Sequence, residues 1–451
     1  MRDLTQGPIT SHLLAMAGPI AAGMLAQTLY FLVDLYFVAQ LGDTALAGVG
    51  AAGIATFVVM AMTQTLGVGA MALIAQAVGR KDQVDADLVF NQSLSLAGFC
   101  TVATLAGGYP LTACYMGLVG ADQPTADAGA TYLYWFLPGL SLQYASIVMV
   151  SALRGTGVVK PTLVVQMVTV LLNAALAPVL IAGWGTGHAM GVAGAGFAST
   201  LSVAAGVLLL AEYFRRLEKY IHIRPALWRP RLAVWARMVN IGLPAGGEFG
   251  MMFLLMAAMY WVIRDFGAAA QAGFGLGTRL MQSIFLPAMA IAFATGPVAG
   301  QNYGAQQYAR VREAFRSAAK ISVIVMLALT LLCQWRPEWL VLGFTNQPPV
   351  VEVATRFLQL ISWNFAASGL IFVCSGIFQG LGHTWPAFGS TASRLVTFLL
   401  PAIWLSTWPG LKIDHVWYLS VTSVWLQAAL SLFLLTRTMR VKLRTPRPLP
   451  P

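Results

Sequence analysis

LLAMAGPIAAGMLAQTLYFLVDLYFVA, residues 13–39, carries one charged side chain, Asp34. The run exceeds the roughly 20 apolar residues that take a helix across a bilayer. It is too long for a signal-peptide core and has no small-residue cleavage site, so it is expected to remain as a first membrane span. Similar apolar stretches recur at about 45–77, 90–118, 128–152, 161–182, 190–214, 235–263, 269–300, 314–334, 350–378, 386–408 and 415–436, which makes twelve spans. The 451 residues are 58% apolar and 10% charged, with a mean hydropathy of +0.72. A water-soluble enzyme needs far more surface charge, and a β-barrel would show short alternating segments. The expected fold class is an all-α polytopic membrane protein of twelve helices.

A net charge of +11 would suit a nucleic-acid partner, but the basic residues sit between the spans. With the N-terminus inside, the inner segments hold Arg2, Arg80, Lys81, Arg154, Lys160, seven basic residues in 215–237, Arg310, Arg312, Arg316, Lys320 and five in 437–447. Arg264, Arg336 and Lys412 fall outside, a ratio of 21 to 3 that predicts both termini cytoplasmic. Cys100, Cys114, Cys333 and Cys374 lie in apolar stretches with neither metal spacing nor a disulfide pattern.

The spans are organised by an internal repeat. Ala47-Gly48-Val49-Gly50 recurs as Ala272-Gly273-Phe274-Gly275, Gln76-Ala77-Val78-Gly79 as Gln301-Asn302-Tyr303-Gly304, and Leu153-Arg154-Gly155-Thr156-Gly157 as Phe378-Gln379-Gly380-Leu381-Gly382, always 225 residues apart. Pro19 and Pro161 recur as Pro244 and Pro386 in the same register. Each half holds six spans, an even number, so both enter the membrane in the same direction. The expected arrangement is two lobes, 1–222 and 235–451, related by a pseudo-two-fold axis along the membrane normal and joined by a basic linker, 223–234. Paired lobes with a seam are an architecture of alternating-access transporters.

Charges within hydrocarbon are costly and therefore mark candidate sites. Asp34 has apolar residues for a turn on each side. A carboxylate withdrawn from water favours its neutral form, so it could take and release a proton, or hold a sodium ion when ionised. Glu248 follows Pro244 by one turn, and its repeat partner is Gly23, so this acid breaks the symmetry. Arg279 and Arg394 either pair with a carboxylate or snorkel to an interface. Pro19 and Pro244 interrupt their helices at matching places, where a bend could gate access. Met252, Met256 and Tyr260 follow Glu248 in a pliable Met-rich stretch that suits apolar cargo.

These motifs resemble the multidrug and toxic compound extrusion (MATE) family of cation-coupled antiporters, over nearly the whole chain. The pieces that carry the likeness are Val33-Asp34-Leu35-Tyr36-Phe37-Val38-Ala39-Gln40-Leu41-Gly42, Gly300-Gln301-Asn302-Tyr303-Gly304-Ala305 and Leu153-Arg154-Gly155-Thr156-Gly157. The resemblance implies that Asp34 couples transport to protons or sodium. Where many members carry an acid in the fifth span this chain has Ala177, which leaves Asp34 with the neutral partners Asn173 and Ser199 or Thr200. Glu248 resembles the seventh-span glutamate, which in several members stands at the position of Met252. Ser368 replaces a tenth-span acid of some sodium-coupled members.

The resulting expectation is a bacterial inner-membrane antiporter, a monomer without cofactor, exporting amphipathic, mostly cationic organic compounds. Glu248, Met252, Met256 and Tyr260 would bind the cargo. A flippase for lipid-linked precursors would need more mid-span basic charge to hold pyrophosphate, and a scaffold or receptor would carry no flux. An intramembrane enzyme would need a paired catalytic set within the spans, and His12, His188, His222, His383 and His415 stand at span ends or in loops without ligand spacing, which counts against that reading.

Overall fold

Four pairs of residues with left-handed backbone stand 225 positions apart in the computed structural model: Gly42 and Gly267, Lys81 and Gln306, Gly157 and Gly382, Gly185 and Gly410. The sequence repeat is therefore a repeat of turns. Lys81 and Gln306 adopt φ of 61° and 58° despite carrying side chains, a conformation that L residues avoid. The turns around them close with matching bonds, from Asp82 N–H to the Ala77 carbonyl at 3.0 Å and from Gln307 N–H to the Asn302 carbonyl at 2.9 Å. Such bonds satisfy carbonyls that would otherwise be left open at a helix end.

The structure describes residues 2–443 apart from 186, 345, 346, 407 and 409. Arg444 and Arg447, counted above among the inner basic residues, lie outside the described residues. The helices are α1 (Ile9–Ala39), α2 (Asp43–Gly79), α3 (Gln83–Val119), α4 (Gln123–Gly155), α5 (Lys160–Ile181), α6 (Val192–Arg216) and α7 (Leu232–Ile263). They continue as α8 (Ala268–Gly304), α9 (Tyr308–Trp335), α10 (Pro337–Leu342), α11 (Pro348–Ile361), α12 (Phe365–Gly380), α13 (Trp385–Ser406) and α14 (Ile413–Lys442). Among the described residues, twelve stretches are long and apolar enough to cross a membrane, with α11 and α12 joined through the 3-10 turn Ser362–Asn364 into one of them and the short α10 in none. No strand occurs among the described residues.

The helices outrun the apolar windows that announce them. The ninth starts at Tyr308, about six residues before its hydrophobic run, so Arg310 and Arg312 sit on its first turns. Hydropathy marks only the part of a helix that meets hydrocarbon, whereas backbone hydrogen bonding continues into the polar layer. Caps then set the ends. Asp82 accepts the N–H of Asp85 at 3.0 Å to open α3, and Asp122 accepts that of Thr125 at 2.9 Å to open α4. The latter bond, with the Thr125 hydroxyl, holds the Asp122 carboxyl below its ordinary range.

The chain divides into two units, Met1–Asp3 with Gly18–Gly246, and Leu4–Ala17 with Gly247–Pro451. The divisions fall inside α1, beside Pro19, and inside α7, just past Pro244. In the first unit, Gly48 of α2 meets the α4 backbone at Thr125 and Gly129, and Gly139 and Gly196 let α4 and α6 close on each other. In the second, Gly376 and Gly380 of α12 bring that helix onto α8 at Ala292 and Gly296. Close approach at small residues is how helices gain contact where lipid offers no hydrophobic drive. Each unit has its own aromatic core. Phe90 stacks on Phe214 at 4.6 Å in the first, while fully buried Trp417 stacks on Phe274 at 5.7 Å in the second. Outward faces remain apolar, as at Leu171, Leu208, Leu331 and Leu400. Such surfaces suit lipid contact.

Candidate functional site

Asp34 lies in the first unit on α1, 9% exposed, with Oδ1 enclosed and without a hydrogen-bond partner among the described residues. One helical turn earlier on the same face, Tyr30 brings its hydroxyl close to the carboxylate and to the hydroxyl of Ser199 on α6. Tyr132 of α4 stands near both Asp34 and Tyr30. Tyr30 Oη and Ser199 Oγ are buried and have no partner in hydrogen-bond geometry among the described residues. Asn173 is fully buried on α5, and neither its amide nitrogen nor its carbonyl oxygen is paired. Buried polar atoms are normally satisfied. Asp34 Oδ1, both polar atoms of the Asn173 amide and the hydroxyls of Tyr30 and Ser199 are thus buried polar atoms of the first unit without a partner among the described residues.

Thr200 stands apart from this set. Its hydroxyl donates to the Trp135 carbonyl at 2.6 Å and accepts the N–H of Gly139 at 3.2 Å, which ties α6 to α4. Consecutive residues point about 100° apart on a helix, so Ser199 and Thr200 cannot serve the same neighbour. On α5, Asn173, Ala177 and Ile181 form the buried face. Ala177 thus offers only a methyl group on that face. Among the described residues no three His, Cys, Asp or Glu side chains gather as a metal cluster. Any sodium ion here would rest on one carboxylate and neutral oxygens, a hard-cation donor set.

Glu248 lies in the second unit. Its Oε2 accepts from Ser375 Oγ at 3.3 Å, and Gln379 Nε2 in turn donates to Ser375 Oγ at 3.3 Å. Its Oε1 is enclosed and unpaired. The carboxylate borders a cavity of about 120 Å³ whose walls include Met252, Leu255, Phe285, Ser368, Phe372, Ser375, Thr391, Arg394 and Gln427. Met256 and Tyr260, expected to bind cargo, do not line it. From Glu248 the helix turns by about 40° to Met252, but by about 80° to Met256 and 120° to Tyr260. Met256 instead packs against the aromatic core, and Tyr260 sets its ring edge-on to Phe274 at 5.0 Å. Arg279 is exposed, whereas Arg394 borders the same cavity as Glu248.

Pro19 and Pro244 are both interior to their helices. The segment before Pro19 is fastened within the second unit: Leu4 N–H donates to Gln301 Oε1 at 2.9 Å, and Asn302 Nδ2 donates to the Leu4 carbonyl at 3.1 Å. Arg310 adds a bond to the Gly7 carbonyl at 2.9 Å. Tyr30 and Tyr132, Ser375 and this strap escaped the sequence reading. Tyr30 was recoverable from its i−4 spacing to Asp34, but nothing local in the sequence marks the other three.

Twelve apolar helices built twice over the same turns, with lone carboxylates enclosed in each unit, define a multi-pass membrane transporter. The family model MatE matches residues 19–179 and 244–404, two stretches in the 225-residue register of the repeat. The chain belongs to the MatE family of multidrug efflux transporters, and it is a transporter rather than an enzyme. It is 24% identical over 407 residues to a probable multidrug resistance protein, YoeA, of Bacillus subtilis (strain 168), covering 88% of this chain and 87% of that one. It is also 24% identical over 400 residues to a FAD transporter of Shewanella oneidensis, covering 88% of each. A solved structure of a MOP superfamily transporter from Pyrococcus furiosus shares the fold, with a TM-score of 0.91, 24% identity and 98% of both chains covered.

Proposed function

We propose that the protein is a secondary active antiporter that exports amphipathic, mostly cationic organic compounds in exchange for inward protons or sodium ions. The reading rests on Asp34, a carboxylate enclosed in a membrane helix whose Oδ1 has no partner and whose neighbours Tyr30 and Ser199 hold unspent hydroxyls. An ionised, unpaired carboxylate in that setting is costly, so it is stable when it carries a proton or faces a cation. Asn173 supplies a further open carbonyl oxygen. A cycle follows if loading Asp34 favours one conformation and cargo at Glu248 favours another, since a ligand shifts an equilibrium only by its differential affinity. Pro19 and Pro244 would let their helices bend between these states.

On this proposal the protein acts as a monomer in a bacterial inner membrane, and the 21 to 3 basic bias supports both termini and the linker 223–234 on the cytoplasmic side. Lobes 1–222 and 235–451 would be the alternating bodies. The deciding experiment reconstitutes the full chain in proteoliposomes and follows a fluorescent organic cation under an imposed proton gradient or an imposed sodium gradient. Gradient-driven flux by the wild type and none by Asp34→Asn, at equal reconstitution, is the expected result. Wild-type flux from Asp34→Asn would remove the coupling role from the first unit.

A further inference from the structure

The cavity beside Glu248 holds two opposite charges that do not neutralise each other. Glu248 Oε1 and Arg394 Nε are both enclosed and both without a partner among the described residues, although the two side chains border the same space. Glu248 Oε2 engages Ser375 at 3.3 Å, not the guanidinium. A third polar group is open there, since Gln427 gives its amide nitrogen to Thr391 Oγ1 at 3.4 Å and leaves Oε1 buried and unpaired. The walls thus offer two acceptors, Glu248 and Gln427, and a cationic donor, Arg394, with Phe285 and Phe372 supplying the apolar remainder.

We propose that this cavity binds a small amphoteric molecule, one ammonium and one carboxylate on a frame of about one ring, with Arg394 anchoring the carboxylate and Glu248 the ammonium. The proposal rests on the export reading above and assigns this cavity an amphoteric cargo in place of a purely cationic one. A pocket with a lone carboxylate would select cations, and one with a lone guanidinium anions. Because the two side chains are not paired to each other, a singly charged ligand leaves one of them uncompensated, whereas a zwitterion satisfies each. Guanidinium suits this task because its fork of donors matches a carboxylate. Size points the same way, because about 120 Å³ is well below the 300 Å³ or more of drug-sized pockets. An amphoteric occupant also explains an arginine that a pocket for organic cations would repel.

Three radiolabelled probes of one frame test this by equilibrium binding to the purified full-length protein: phenylalanine, phenylalaninamide, which is a cation, and 3-phenylpropanoate, an anion. Phenylalanine is expected to bind at least about tenfold tighter than either other probe, the effect of one charge-assisted contact. Arg394→Gln should abolish the preference for phenylalanine over the amide, Arg394→Lys should restore part of it, and Glu248→Gln should abolish the preference over 3-phenylpropanoate. The proposal is overturned if the wild type binds the amide as tightly as phenylalanine, if it binds none of the three, or if Arg394→Gln weakens amide and phenylalanine alike. The wild-type ranking stands even where a variant fails to fold. Gradient-driven export of a fluorescent cation, run on the same preparation, isolates the export reading: flux without zwitterion preference sinks only the present inference.

Discussion

Arg224, in the linker, sets its guanidinium 3.1 Å from Asp87 Oδ2 on α3, and Asp87 Oδ1 accepts the backbone N–H of His222 at 2.9 Å. The linker is therefore strapped to α3. Asn91 donates to the His222 carbonyl at 2.9 Å and accepts the N–H of Arg224 at 2.7 Å, while Gln92 accepts that of Arg231 at 2.8 Å. Reading the linker as a mere joint between lobes would miss this strap. Asn91→Ala should lower stability by about 1–3 kcal/mol, because it strands buried backbone groups. Arg224→Ala should cost less than about 1 kcal/mol, since its guanidinium is largely exposed. Thermal unfolding in detergent gives the ranking, and faster tryptic cleavage after Arg231 in Asn91→Ala would show the strap opening. Equal effects from both variants would refute it.

Ser199 and Thr200, adjacent on α6, should fail in different ways. Ser199 Oγ is unspent beside Tyr30, whereas Thr200 Oγ1 is bound to the α4 backbone. Tyr30→Phe and Ser199→Ala are expected to raise the coupling-ion concentration for half-maximal flux about tenfold, the weight of one hydrogen bond to a charged group. Thr200→Ala should leave that concentration alone and lower thermal stability by about 1 kcal/mol. Ion titrations of flux beside melting curves separate the two. A Thr200→Ala variant with normal stability and displaced coupling would reverse the assignment.

Much of this molecule is written in local pattern, and the remainder is not. The spans were legible because hydrocarbon demands long apolar runs, and the repeat because turns at Lys81 and Gln306 need the same local chemistry. Asp34 and Glu248 stood out as isolated charges. Their partners did not, because Tyr132 reaches Asp34, and Ser375 reaches Glu248, across about a hundred residues or more of chain. Met256 and Tyr260 fall away from this cavity because a cluster in sequence spreads around a helix, and from α7 Glu248, Met252 and Leu255 line it. From sequence Arg394 either pairs or snorkels, and only the fold puts it on the wall of the cavity that Glu248 borders.

Two glycines of α7 distinguish packing from propensity. A side chain at Gly242 would drive into the Thr65 carbonyl of α2, while one at Gly250 meets nothing within 4 Å. Gly250→Ala is expected to be neutral or to stabilise by up to about 1 kcal/mol, since glycine weakens a helix interior. Gly242→Ala should instead cost about 1–3 kcal/mol by forcing the backbones apart. Melting temperatures of the two variants should move in opposite directions or at least differ clearly. A Gly242→Ala protein as stable as the wild type would mean that α2 and α7 do not approach so closely.

The motif Gly300-Gln301-Asn302-Tyr303-Gly304-Ala305 has a physical role in this structure, which is to hold the segment leading into α1. Gln301 Oε1 takes the Leu4 N–H and Asn302 Nδ2 gives to the Leu4 carbonyl, so both polar groups of one backbone unit are satisfied by consecutive side chains. Arg310 Nε donates to Asn302 Oδ1 at 2.9 Å, which fixes the amide's orientation, and its Nη2 bonds the Gly7 carbonyl at 2.9 Å. Leu4 itself is fully buried, which adds apolar burial to the polar strap. The repeat counterpart of Asn302 is Ala77, so the first half has no equivalent amide. Asn302→Ala should therefore take the 3.1 Å bond from the Leu4 carbonyl and loosen the segment around it, while the matching turn around Lys81 keeps its protection. Hydrogen–deuterium exchange in detergent should show faster exchange across residues 4–8, by about tenfold for a loss of about 1.4 kcal/mol. Arg310→Ala is expected to produce the same local loosening, weaker by severalfold, because Asn302 keeps its own bond to Leu4. Unchanged exchange over 4–8 in Asn302→Ala would show that burial of Leu4, and not the amide, holds the segment in place.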